Sequence, residues 1–226
     1  MGLLEIVILQ AWLIIHVRGE RIMKLYSYVI PRDYGFAPNP YFNYCTLATC
    51  KPIIRRCAQV GDWIAAFGAA GTLIHEKLVV LMRVGETLTF DQYWNDSRFI
   101  SKHPSFNKGV IHMYGDNIYH HEGENWVQER SHHSMEDGSI NYINLNRDTG
   151  TDRVLIATEY YYFGNNAITI PQEFNMLIAH GIGHRVSTDT DVIGNFISYM
   201  MDNYEMKVQG TPYSRKMGKF AHYKGE

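Results

Sequence analysis

Cysteine is scarce in this chain: three residues, Cys45, Cys50 and Cys57, are odd in number and confined to one short stretch. That excludes the even-numbered disulfide framework of a small secreted domain and points to a reducing cytoplasm. An excess of charge of one sign is missing too. A formal net charge of −2 leaves no broad basic face of the kind that wraps a nucleic-acid backbone, although a local basic patch is compatible with it. Long apolar runs are also absent. The N-terminal run 3–17 falls short of the roughly 20 residues a bilayer-crossing helix needs, contains Glu5 and follows no basic residue, so it reads as neither a span nor a signal peptide. Residues 1–22 are therefore expected to be an extension, with a second start at Met23. No phosphate-cradling Walker loop, dinucleotide fingerprint or serine elbow occurs, which argues against a nucleoside triphosphatase.

What is present is a core. Hydrophobic residues make up 46% of 226, with 16 Tyr, 10 Phe and 4 Trp, enough for one folded domain over 23–226. The pattern predicts an α+β fold with a β-rich core and flanking helices. Residues 24–30 are β-branched and aromatic and stop at Pro31, a strand; 63–67 and 77–84 read as paired strands behind a turn at 60–62. Pro52 suits the first turn of a helix over 53–59. Thr89 caps a short helix to 95, and 188–204 is the clearest helix, with Val192, Phe196, Tyr199 and Met200 on one face and Thr188 or Asp189 as cap. Residues 171–178 suggest a short helix, 153–163 a strand, and 110–114 and 126–127 strand-like pieces within an otherwise irregular polar stretch from 95 to 152. The loop 32–44 is long for a compact domain and is a candidate ligand-facing segment.

Five of the 11 histidines, His112, His120, His121, His132 and His133, fall in that polar stretch beside Asp116 and Glu122. Their spacing matches no metal signature, and adjacent pairs point to opposite sides of a strand, so no metal is expected. His180 and His184 sit among glycines that make a poor helix, and a turn presenting His184 or Arg185 fits better. A nucleophilic cysteine needs a neighbouring base or cation, and Arg55 and Arg56 are close to Cys57; buried inert thiols are the plainer reading. The segment from Lys207, with Arg215, Lys216, Lys219 and Lys224 among Tyr213, Phe220 and Tyr223, is either a solvated tail or a phosphate- and base-touching surface.

The words of the sequence add to this. Tyr26-Ser-Tyr-Val-Ile-Pro-Arg-Asp-Tyr-Gly-Phe-Ala-Pro-Asn-Pro-Tyr41, Cys45-Thr-Leu-Ala-Thr-Cys-Lys-Pro52 and Val60-Gly-Asp-Trp63 resemble the nucleotide modification associated domain, type two. Further matching pieces are Leu88-Thr-Phe-Asp-Gln-Tyr-Trp-Asn95, Gly115-Asp-Asn-Ile-Tyr-His120, Ser-His-His-Ser at 131–134, Arg147-Asp-Thr149 and Tyr162-Phe-Gly164, so the likeness spans nearly everything from Met23 onward. It implies a setting among bacterial and phage systems that make or process modified DNA bases, and implies no particular reaction. The piece Val60-Gly-Asp-Trp-Ile64 is in addition similar to a turn of PUA-like barrels (the ASCH, EVE and YTH domains), which implies a partly open barrel holding a base in an aromatic pocket.

Three functions stay open at this level. In the first, the domain binds a modified nucleobase or nucleotide, with Arg32 or Arg147 meeting phosphate or a carbonyl edge, Asp33, Asp116 or Asn117 reading the base, Trp63 or Tyr119 stacking, and Asn39 and Arg185 nearby. In the second it is an enzyme on such a base, with His132 or His120 as general acid or base and Asp116 as partner. In the third it is an interaction subunit of a phage or defence system. The expected partners are a nucleotide or modified base, single-stranded or flipped-base DNA, and proteins of a DNA-modification system, with no membrane; the sequence names no cofactor.

Overall fold

The computed structural model of the chain describes residues 21–215 and 220–225. Residues 1–20 of the expected extension, together with Lys216 and Lys219, lie outside the described residues.

A six-stranded mixed sheet forms the centre, in the order β10-β1-β3-β4-β9-β11. Its strands are β1 (Leu25–Ile30), β3 (Trp63–Gly68), β4 (Leu78–Arg83), β9 (Tyr160–Tyr162), β10 (His184–Ser187) and β11 (Lys207–Val208). β1 runs parallel to β3, which turns back antiparallel onto β4 as the paired hydrophobic runs predicted. Alternation along the strands sends side chains to two cores. Tyr26, Tyr28, Ile30, Ile64, Ala66, Val80 and Met82 face one side. Leu25, Trp63, Ala65, Phe67 and Leu81 face the other, where α5 (Thr190–Asn203) packs through Ile193, Phe196, Ile197 and Met200. Asp189 accepts from the Val192 N–H and so is the cap of α5.

The first core is closed by a small antiparallel sheet, β2 (Cys45–Leu47), β8 (Val154–Ala157) and β5 (Glu86–Leu88), in the order β2-β8-β5, and by α1 (Pro52–Cys57). A third apolar cluster lies between that sheet, α2 (Phe90–Asn95) and α4 (Tyr142–Thr149). Thr89 and Gln92 form a reciprocal capping box at the start of α2. The hairpin β6 (Tyr119–Glu122) and β7 (Asn125–Gln128) packs beside it. Among the described residues no strand pairing closes either sheet into a barrel, and none of their helices is long and apolar enough to cross a membrane.

Several elements differ from expectation. Residues 110–113 form one helical turn, α3 (Val110–Met113), because Gly109 at φ 103° starts a turn and, among the described residues, no strand pairs with the β-branched Val110 and Ile111. The run 153–163 divides between two sheets, β8 and β9. Gln172–Leu177 is a 3-10 helix with Pro171 before its first turn. The stretch from 95 to 152 carries α4, whose cap Asn141 accepts from the Ile143 and Asn144 N–H groups.

Candidate active site

Between β2 and α1 the backbone makes a sharp corner. Cys50 and Lys51 both adopt left-handed conformations, φ 58° and 40°, costing roughly 1–2 kcal/mol each for an L-residue. Pro52 then starts α1 with its fixed φ. The corner is held at both ends of Cys50. Its N–H donates to Asp148 Oδ1 at 2.9 Å, and its carbonyl accepts from Arg55 Nε at 2.9 Å. Arg55 is fully buried and also donates to the carbonyls of Thr151, Arg153 and Asp148. One guanidinium thereby ties α1 to the C-terminal end of α4.

His133 arrives from the Ser131-His-His-Ser134 turn, closed by Ser131 N–H on Ser134 Oγ and by Ser134 N–H on the Ser131 carbonyl. Its carbonyl accepts from Asn144 Nδ2 and Gln128 Nε2, which fixes the ring from behind. Nδ1 lies 2.7 Å from Asp148 Oδ2, and Nε2 lies 3.8 Å from Cys50 Sγ. Because an ionised carboxylate only accepts, Nδ1 carries the proton. Tyr119 donates its hydroxyl to the same Asp148 oxygen at 3.0 Å.

Burial alone would pull the His133 imidazole down; the facing Asp148 and Cys50 outweigh it and hold it up at about 9. Burial would likewise raise Asp148, but His133, Arg147 and Arg55 keep it below the usual carboxylate range. The other thiols differ: burial pushes Cys45 up to about 12, while Cys57 is exposed on the end of α1. Cys50 is the thiol that meets an imidazole.

Cys50 and His133 form the floor of a cavity of about 440 Å³, with Asp148 buried behind them. Its walls are aromatic, with Tyr34, Phe36, His132 and Tyr223 among them. The Phe36 ring is 4.7 Å from His133, and the Tyr34 ring is 4.7 Å from His132. Tyr223 comes from the segment 220–225, which folds back across the site: Tyr223 N–H donates to the His132 carbonyl at 2.7 Å, and His132 Nδ1 donates to the carbonyl of Ala221. Arg32 and Arg147 lie against the Tyr223 ring, 5.2 and 5.1 Å from its centroid. Lys51 completes the cationic set, and among the described residues no carboxylate lines the cavity.

Of the residues expected from sequence to form a site, Arg32, His132 and Arg147 line this cavity, and Tyr119 stands behind its floor. The others lie elsewhere. Asp116, Asn39 and Asn117 belong to a separate buried knot in which Thr46 and Tyr93 donate to Asp116 and Lys102 donates to Asn39. Asp33 accepts from the Tyr162 hydroxyl at 2.6 Å. His120 stacks 4.1 Å from the Trp94 ring with Nε2 beside Glu129, and Trp63 is buried in the core on the far face of the sheet. Arg185 is exposed on the edge strand β10. Sequence reasoning missed Cys50 and Asp148 as partners of His133, because 83 and 15 residues separate them from it and no local signature joins such positions. The Cys-Lys-Pro corner was the available signal.

Cys50, His133 and Asp148 are also the residue types that bind zinc, and their ligand atoms lie within 4.8 Å of one another. The hydrogen bonding favours proton transfer over coordination. His133 Nδ1 is committed to Asp148, and Oδ2 is shared with Tyr119, so a thiol, an imidazole and an orienting carboxylate stand in series, the order that nucleophilic catalysis needs.

No curated protein and no solved structure matches the chain. The family model for nucleotide modification associated domain 2 matches residues 22–219, and the chain therefore belongs to that family, whose setting is nucleotide modification.

Proposed function

We propose that this domain is a cysteine-dependent enzyme acting on an anionic nucleotide held in the cavity above Cys50. The single His133 imidazole bridging Cys50 and the buried Asp148 carries this reading. The walls of Tyr34, Phe36 and Tyr223 suit a planar heterocycle, and Arg32 and Arg147 suit its phosphate, with no carboxylate among the described lining residues to oppose them.

In the first step the Cys50 thiolate attacks an electrophilic carbon of the bound nucleotide. A C–S bond forms, the bond to the leaving group breaks, and the leaving group takes the proton from His133 Nε2. In the second step water or another acceptor attacks the same carbon, returns its proton to His133, and releases the thiolate. Asp148 keeps the ring oriented and supports its positive charge.

Intact-mass spectrometry of the protein with a panel of nucleotides and modified bases tests this reading. Stabilisation with a changed ligand mass, abolished by Cys50→Ser, is the expected result. Stabilisation with unchanged ligand supports a reader of modified bases that uses the same aromatic cavity without turnover. Equal turnover by Cys50→Ser overturns the thiol mechanism.

A further inference from the structure

A second cavity, of about 540 Å³, adjoins the first and shares Val29, Pro31, Lys51 and Ile182 with it. It lies away from Cys50, His133, Arg32 and Arg147, none of which lines it. Its remaining wall comes from the end of β3 at Gly68 with Ala69 and Ala70, from His75 and Glu76, and from the loop at 179–183. Two features mark the boundary. Lys51 lines both cavities, its ammonium resting 4.6 Å from the centre of the Tyr28 ring, and it has no carboxylate partner among the described residues. Ile182 lines both as well and is fully exposed, a large apolar side chain held out between Gly181 and Gly183 at φ 70° and 107°.

Resting on the nucleotide reading above, we infer that the substrate is a nucleotide within a single strand, with its base over Cys50, a backbone phosphate at Lys51, and the neighbouring nucleoside in the second cavity beside Ile182. A lone mononucleotide would fill the first cavity and leave the charge on Lys51 and the apolar face of Ile182 without a use. A strand supplies a phosphate at the divide and a second planar ring beyond it, the combination of anion and stacking surface by which single strands are bound. The second cavity also holds one carboxylate, Glu76, whose Oε1 lies 3.4 Å from His180 Nδ1 and 3.7 Å from His75 Nε2.

Protection of Cys50 from iodoacetamide, read by peptide mass spectrometry, tests this. The probes are 5′-mononucleotides and mixed-sequence single-stranded pentamers, in deoxyribose and ribose forms, which separate a DNA strand from an RNA strand. Pentamers of one sugar type are expected to protect at about tenfold lower concentration than mononucleotides, with an advantage that declines as salt is raised. Ala70→Trp, which fills the second cavity, and Lys51→Met, which keeps the stem over Tyr28 and deletes the charge, should each remove that advantage. Ala70→Trp should leave protection by mononucleotides unchanged. Equal protection by pentamers and mononucleotides overturns the strand assignment and leaves the nucleotide reading standing. Failure of both kinds of probe to protect overturns the nucleotide reading along with it.

Discussion

His132 and His133 are adjacent in sequence, with ring centroids 5.6 Å apart, yet they favour opposite protonation states. Burial, with the positive charge of His133 beside it, drives His132 down to about 3. His133 faces Asp148 and is held up at about 9. The pair therefore carries one positive charge across the neutral range, and that charge sits on the ring that meets the thiol.

The consequence for stability has a definite sign for each ring. His133 binds its proton more tightly folded than unfolded, so its contribution is complete below the unfolded value near 6.5 and is lost as pH rises through about 9. His132 binds its proton less tightly when folded, so its contribution is complete above that unfolded value and is lost as pH falls toward about 3. The His133 part amounts to at most roughly 3 kcal/mol at 1.36 kcal/mol per pH unit. Imidazole carbon shifts followed by NMR should show His133 charged and His132 neutral at pH 7.5. Two rings titrating together near 6.5 would contradict the asymmetry.

Cys50 should be the thiol that matters for chemistry. Under native conditions iodoacetamide is expected to label Cys50 ahead of Cys57, although Cys57 is the more exposed, because a neighbouring imidazole promotes thiolate reactivity. Asp148→Asn should slow Cys50 labelling by about a hundredfold or more while His133 still occupies its place, since an amide supports neither the charge nor the same tautomer. Preferential labelling of Cys57 in the wild type would refute the assignment.

Arg55 should be a structural linchpin with a functional symptom. Arg55→Met keeps the volume but removes the donors serving the carbonyls of Cys50, Asp148, Thr151 and Arg153. The loss is expected to reach about 3–5 kcal/mol, since several buried acceptors go unmatched together. Chemical denaturation reads the loss. A shift below about 1 kcal/mol would mean that the corner at Cys50 is fixed by other contacts.

Removal of metal should change nothing. Dialysis against a chelator is expected to leave both the melting temperature and the rate of Cys50 labelling unaltered, because the ring nitrogens of His133 are already shared between Asp148 and the thiol. Stoichiometric zinc that survives purification and whose extraction frees Cys50 would replace the triad with a coordination site.

Several strands and helices were legible in the sequence, because the β-branched and aromatic run 24–30, the apolar run 63–67, the cap Thr89 and the apolar stripe of α5 are local signals. The loop 32–44 was marked as ligand-facing, and Arg32, Tyr34, Phe36 and Ala37 do line the cavity. The alignment of Cys50, His133 and Asp148 was not legible. Cys50 was one of three similar thiols, and Asp148 stands next in sequence to Arg147, which it contacts at 3.4 Å. What separates these residues from their look-alikes is contact across the fold, namely the Arg55 tie and the Ser131–Ser134 turn, which neither period nor spacing encodes. Trp63 illustrates the reverse case: its aromatic ring suited a base, and the alternation of β3 put it on the far face of the sheet.

Tyr223 belongs to a part of the chain made long after Cys50 and Lys51. A chain lacking that part would hold the thiol and its imidazole without Tyr223 across the cavity. Proteolytic clipping upstream of residue 220 would uncover the same thiol without unravelling the central sheet, and a protein fused close behind Tyr223 would crowd the mouth of the cavity.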